Sequence, residues 1–105
     1  MILVYITCQD AFEAEHIGTH LLKKRLCACI NIYSGMNSKY FWPPKTGRFE
    51  EAHETVLLVK TLSAKFSAVE KEVKKLHASD TPCIIAIPVS HSSKKYYEWL
   101  KGEIT

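Results

Sequence analysis

Glycine and proline are scarce in this 105-residue sequence, four of each, which excludes collagen-like and low-complexity chains. Long apolar runs are missing too. The longest, Ile2 to Ile6 and Cys83 to Val89, fall far short of the ~20 residues that a membrane-spanning helix needs. No basic stretch precedes the apolar start, which breaks at Thr7, so no signal peptide is expected and the cytosol is the default compartment. Neither sign of charge dominates: fourteen basic against eleven acidic side chains leave a net charge of +3, too little to imply nucleic acid. The four cysteines, Cys8, Cys27, Cys29 and Cys83, form no CxxC pair, which removes zinc-finger and thioredoxin-type readings. They read instead as reduced, mostly buried thiols. Also absent are a GxSxG elbow, a Walker loop, a dinucleotide fingerprint and a paired-carboxylate motif, so no enzymatic activity is expected.

What is present is a chain that is 47% hydrophobic, enough for one core and one domain spanning residues 1–105. Ile2 to Ile6 is a β-branched run without polar alternation, which predicts a strand covered on both faces. Asp10 followed by Glu13 resembles a capping box, and Ala14, Ile17, Gly18, Leu21 and Leu22 then share one helical face, with the helix ending near Leu26. Residues 28 to 42 alternate, placing Ala28, Ile30, Ile32, Met36, Ser38, Tyr40 and Trp42 on one phase, with a bulge expected at Gly35. A turn through Pro43, Pro44 and Gly47 leads to a third strand from Glu50 to Lys60. Ser63 is positioned to cap a second helix carrying Phe66, Val69, Val73 and Leu76. Pro82 closes that connection, residues 83 to 87 form a fourth strand, and Ser92 or Ser93 caps a last helix bearing Tyr96, Trp99 and Leu100.

The order is β-α-β-β-α-β with an extra C-terminal helix, an α+β architecture of the ferredoxin-like kind. Extended at ~3.3 Å per residue, residues 28 to 42 reach ~50 Å, whereas a compact chain of this length has a radius of gyration of ~13 Å. The long central hairpin therefore overhangs its own domain, unless Gly35 breaks it into two strands that fold back. An overhang carrying Tyr40, Phe41 and Trp42 calls for another copy to cover it.

Ala28-Cys29-Ile30-Asn31-Ile32, Ser38-Lys39-Tyr40-Phe41-Trp42, Glu54 through Thr61, His77, Pro82 and Tyr96-Tyr97-Glu98-Trp99-Leu100 follow one another in an order that resembles the CutA divalent-cation tolerance proteins. The resemblance implies a ferredoxin-like homotrimer, built like the PII-type nitrogen regulators and cytosolic in bacteria. It also implies a link to copper and other divalent metals and no established enzymatic activity. The family's His-Pro-Tyr-Glu stretch stands here as His77-Ala78-Ser79-Asp80, and its Pro-Glu-Ile as Pro82-Cys83-Ile84. Where some members carry a proposed cysteine ligand and the first of two histidines, this chain has Ile6 and Leu76, so His77 alone carries over.

Metal binding needs imidazoles, thiolates or carboxylates that converge. The candidate ligands are His77, Cys29 and Cys83, with Asp80 near His77, and the ion implied is Cu2+ or another divalent cation. His77 has a second reading as a helix-end histidine bonded to the last carbonyls, and Cys29 one as a packed thiol. His16 and His20, with Glu13 on the same helix face, read as an exposed pair that takes metal adventitiously. His53 and His91 read as surface residues. Lys60, Tyr40, Trp42 and Asn31 are the candidates for a ligand cleft between subunits. There Lys60 meets either an acid of a neighbouring chain or an anionic ligand. Stacking of a base on Tyr40 and Trp42 is the weaker reading, because the Gly-Phe-Gly-Phe-type motif of RNA-recognition domains is missing. The expected partners are further copies of the chain, divalent metal ions and an unknown protein, with no membrane.

Overall fold

Alternate residues of the first strand decide the layering. In the computed structural model, which describes residues 1–105, β1 (Ile2–Cys8) buries Ile2, Val4, Ile6 and Cys8 on one face. Leu3, Tyr5 and Thr7 on the other face are only half-buried, so in the single chain the strand is covered on one side and not on both. The buried face receives Ala14, Ile17 and Leu21 of α1 (Ala11–Lys23). Gly18 lets that helix approach the sheet closely: a Cβ there would run into the Ile30 Cδ1 atom. Leu22, placed by its spacing on the same face, is instead exposed.

The first helix stops at Lys23, short of Leu26, because Arg25 turns left-handed at φ 58°. The Arg25 N–H then bonds the Leu22 carbonyl and the Leu26 N–H the Leu21 carbonyl, the two bonds of a Schellman end in which glycine is usual. Here the Arg25 guanidinium donates to the Glu103 carboxylate at 2.7 Å, a contact that offsets part of the backbone cost.

The strands β2 (Cys29–Phe41) and β3 (Phe49–Thr61) form the long hairpin, paired from Cys29 and Lys60 out to Phe41 and Phe49. A 3-10 turn over Ser63–Lys65 leads into α2 (Phe66–Leu76). Ser63 thus does not cap the α-helix, which begins without a side-chain cap. Then come β4 (Ile84–Pro88) and α3 (Lys94–Glu103), the latter capped by Ser93, whose hydroxyl accepts from the Tyr96 N–H. The sheet order is β2-β3-β1-β4 with every neighbouring pair antiparallel, the ferredoxin-like topology. Val69 and Val73 of α2 complete the core with Leu57 and Val59 of β3. Each such side chain contributes about 1.5–3 kcal/mol when fully buried.

The hairpin does not fold back at Gly35. It extends the molecule to 47 Å along its longest axis against 26 and 24 Å across. A bulge lies between Tyr33, opposite Val56, and Met36, opposite Glu54, with Gly35 at φ 85°. Its extra residue resets the alternation. Ile30 and Ile32 sit opposite Val59 and Leu57 on the helix side, whereas Met36 takes the other side and its sulfur receives the Tyr5 hydroxyl at 3.3 Å. The single phase expected from Ala28 to Trp42 is therefore two phases. The sheet face away from the helices carries Leu3, Tyr5, Tyr33, Leu58, Ile85 and Ile87, with Ile85 52% and Ile87 44% exposed.

Candidate metal centre

The turn after β1 is built by Asp10, whose carboxylate accepts the Glu13 N–H at 2.8 Å and starts α1. In return the Glu13 carboxylate reaches back, its Oε1 accepting the Gln9 N–H at 2.9 Å. Glu13 is thereby drawn into the interior, 6% exposed, and away from the surface face that its spacing shares with His16 and His20. Its second oxygen, Oε2, accepts the Ala78 N–H at 2.8 Å, which ties the start of α1 to the connection between α2 and β4.

His77 closes α2. Its backbone N–H bonds the Val73 carbonyl at 2.9 Å, and its imidazole turns inward with only 6% side-chain exposure. The Nε2 atom lies 2.7 Å from the Thr7 carbonyl oxygen, which can only accept, so Nε2 carries the ring proton. Nδ1 is then the lone-pair nitrogen, and it accepts the Ser79 N–H at 3.0 Å. The side chain thus bonds a carbonyl of β1 and an amide of the following loop, not the last carbonyls of its own helix. Nε2 is also 3.7 Å from Glu13 Oε1.

Cys8 is the third member. Each of Cys8, Glu13 and His77 offers one ligand atom, and these atoms all lie within 4.8 Å of one another. Burial raises the Cys8 thiol to about 12, with Glu13, Asp10 and Glu54 adding to the rise, so the thiol is protonated at neutral pH. Thiolate, imidazole and carboxylate together make a donor set that suits zinc or copper. Bonds of about 2.0–2.3 Å place two ligands of one ion about 3–4 Å apart, and His77 Nε2 and Glu13 Oε1 already stand 3.7 Å apart. The residues fit a metal in donor type and spacing, while Glu13 Oε1 and Oε2 and His77 Nδ1 already accept hydrogen bonds inside the fold.

Of the three ligands expected from the sequence, only His77 is in this group. Cys29 faces Lys60, which in turn faces Leu3 at the opposite end of β1, about 13 Å along the strand from Thr7. Cys83 lies just before β4, its carbonyl accepting the Thr7 N–H at 3.4 Å, and is not in the group. Sequence reasoning missed Cys8 and Glu13, taking the one as a core thiol and the other as a surface acid. The available signal was Glu13 at the third position after a capping Asp10, where a carboxylate bends back toward the turn.

The supposed histidine pair also separates. His16 is exposed, while His20 reaches across to Glu72 of α2 at 2.8 Å. The four residues assigned to a cleft do not meet within one chain. Asn31 and Lys60 lie at one end of the hairpin, opposite Leu58 and Cys29. Tyr40 and Trp42 lie at the other, 41% and 44% exposed, with Tyr40 about 30 Å along the strand from Asn31. The Lys60 ammonium stands 5.7 Å from the centre of the Tyr96 ring, a cation–π contact and not an ion pair. The Tyr96 hydroxyl is buried without a hydrogen-bond partner.

Comparison with known proteins agrees with this architecture. The family model of the CutA1 divalent ion tolerance protein matches residues 2–103. The divalent-cation tolerance protein CutA of Archaeoglobus fulgidus is 42% identical over 97 residues, covering 92% of this chain and 91% of its own. That of Thermus thermophilus is 36% identical over 99 residues, covering 94% and 93%. Among solved structures, that of the A. fulgidus protein, described as periplasmic, superposes with a TM-score of 0.93 at 40% identity over the whole of both chains. The T. thermophilus structure gives 0.93 at 35% identity, again over the whole of both chains. With the family match spanning nearly every residue and the fold the same throughout, the chain belongs to the CutA1 divalent ion tolerance family.

Proposed function

We propose that this chain serves divalent-cation tolerance as a binding module, not an enzyme, and that it takes up the ion between Cys8, Glu13 and His77. The observation that carries the reading is the convergence of three chemically different donors from three separate segments within 4.8 Å. Cys8 would supply a thiolate, Glu13 a carboxylate and His77 an imidazole, a set that favours copper or zinc over magnesium or calcium. A cytosolic setting accords with four free thiols, which persist in reducing compartments.

The functional unit we propose is a homotrimer. Its support is the half-open sheet face bearing Ile85 and Ile87, together with the overhanging arm bearing Phe41 and Phe49, which are 76% and 63% exposed. Apolar surface of this kind is ordinarily covered by a partner, and a second copy is the partner always at hand. A second reading, a trimeric scaffold that binds no metal of its own, is favoured by the hydrogen bonds already engaging Glu13 and His77.

Calorimetric titration with Zn(II) and Cu(II) separates the two. The metal reading expects micromolar or tighter binding that weakens at least tenfold in both Cys8→Ser and His77→Ala. Equal binding by all three proteins places the ion outside this cluster and overturns both readings, and no binding by the parent leaves the scaffold.

A further inference from the structure

We infer that the Ser79 backbone N–H latches the connection between α2 and β4 onto His77, and that metal loading of His77 opens this latch. The inference rests on the metal-centre reading above and deepens it by naming what in the chain gives way.

With Nε2–H donating to the Thr7 carbonyl at 2.7 Å and Nδ1 accepting from Ser79 at 3.0 Å, both positions of the imidazole are in use. A metal ligand must present a lone pair. If Nδ1 presents it, the Ser79 N–H loses its acceptor directly. If Nε2 presents it, the ring proton moves to Nδ1, where it faces the Ser79 N–H donor to donor, and the Thr7 bond is lost as well. The Ser79 amide is released by either route. Ala78 is held differently. Its N–H bonds Glu13 Oε2 at 2.8 Å, and a carboxylate oxygen has capacity to accept an N–H while its group ligates an ion.

The consequence is a local, residue-specific change in the loop. Ala78, Ser79, Asp80 and Thr81 are all exposed, and Thr81 leans on the same turn through its N–H to Ser79 Oγ at 3.1 Å. Freed at Ser79, this surface segment differs between empty and loaded protein, which gives a partner a feature to read.

The test is amide hydrogen exchange by NMR on the full chain, with Zn(II) alone as the probe. Zinc saturation is expected to speed exchange at Ser79 at least tenfold while Ala78 stays protected. Ser79→Pro, which deletes the N–H, is expected to bind zinc about tenfold more tightly than the parent. Zinc binding that is lost in His77→Ala but leaves Ser79 exchange unchanged overturns the latch and leaves the metal centre standing. No zinc binding, or binding that survives His77→Ala, overturns both. If Ser79→Pro does not fold, the exchange measurement on the parent protein decides alone.

Discussion

The imidazole Nε2 of His20 lies 2.8 Å from Oε1 of Glu72 and joins α1 to α2. Lys24 reaches the same oxygen at 3.1 Å and Lys75 the other oxygen at 3.0 Å. Led by the hydrogen bond from His20, these partners lower the Glu72 carboxyl from 4.5 to about 2. A folded value below the ordinary one means that the carboxylate adds stability above about pH 4.5 and loses it as the pH falls toward 2. Glu72→Gln is therefore expected to melt a few degrees below the parent at pH 7. The gap should narrow steadily between pH 4.5 and pH 2, as followed by circular dichroism melts. A constant gap across that range would assign the loss to packing.

Cys8 and Cys27 are both raised to about 12, in each case chiefly by burial. The thiolate is the reactive form, and at pH 7.5 its fraction falls about three orders of magnitude below that of a free cysteine with a pKa of about 8.5. Iodoacetamide labelling read by peptide mass spectrometry should leave both residues unmodified in the native protein and modify both in denaturant. Native modification of Cys8 at the rate of an exposed thiol would contradict its burial, and with it the geometry of the metal centre.

Much of this fold is legible in the sequence, and the failures share a cause. Continuous apolar runs locate β1 and β4, and apolar periodicity locates the other two strands and the helices, because burial is a local signal that in a one-sided element repeats every second or every third to fourth residue. Asp10 and Ser93 mark helix starts for the same local reason. The end of α1 is not legible: a left-handed residue is ordinarily glycine, and Arg25 takes that place with support from Glu103, distant in sequence. The candidate site is hidden more deeply. Cys8 and His77 are brought together only by β1 pairing beside the end of α2, so nothing near either residue announces the other. His77 is identifiable through family resemblance and the inward turn of Glu13 through its place three residues after Asp10, whereas Cys8 emerges only from the assembled turn.

Ile85 and Ile87 offer the sharpest test of the trimer. They stand on the open sheet face opposite Tyr5 and Leu3, far from the helix-side core. Ile85→Lys should leave the chain folded while placing a charge in the proposed interface, at a cost of several kcal/mol if that charge is buried unpaired. Light scattering should change from three times the 12.0 kDa chain mass to a single chain. A parent protein that scatters as one chain would refute the assembly at once.

The bulge in β2 makes a prediction about residue number, not residue type. Ser34 and Gly35 together oppose the one residue of β3 between Val56 and Glu54. Removing Gly35 alone restores a regular ladder in which Met36 still meets Glu54, so every residue from Met36 to Phe41 keeps its face. Removing Ser34 and Gly35 together shifts the count by one more and turns the β2 half of the arm over, because side chains alternate with a period of two. The single deletion should therefore keep the parent's oligomeric mass and melt within a few degrees of it, while the double deletion should lose the assembly. Gly35→Val keeps the count but puts a β-branched residue at φ 85°, which should cost about 1–2 kcal/mol without changing the mass. If the single and double deletions behave alike, the arm's facing does not matter, and the covering of Tyr40 and Trp42 by a neighbouring copy loses its main structural support.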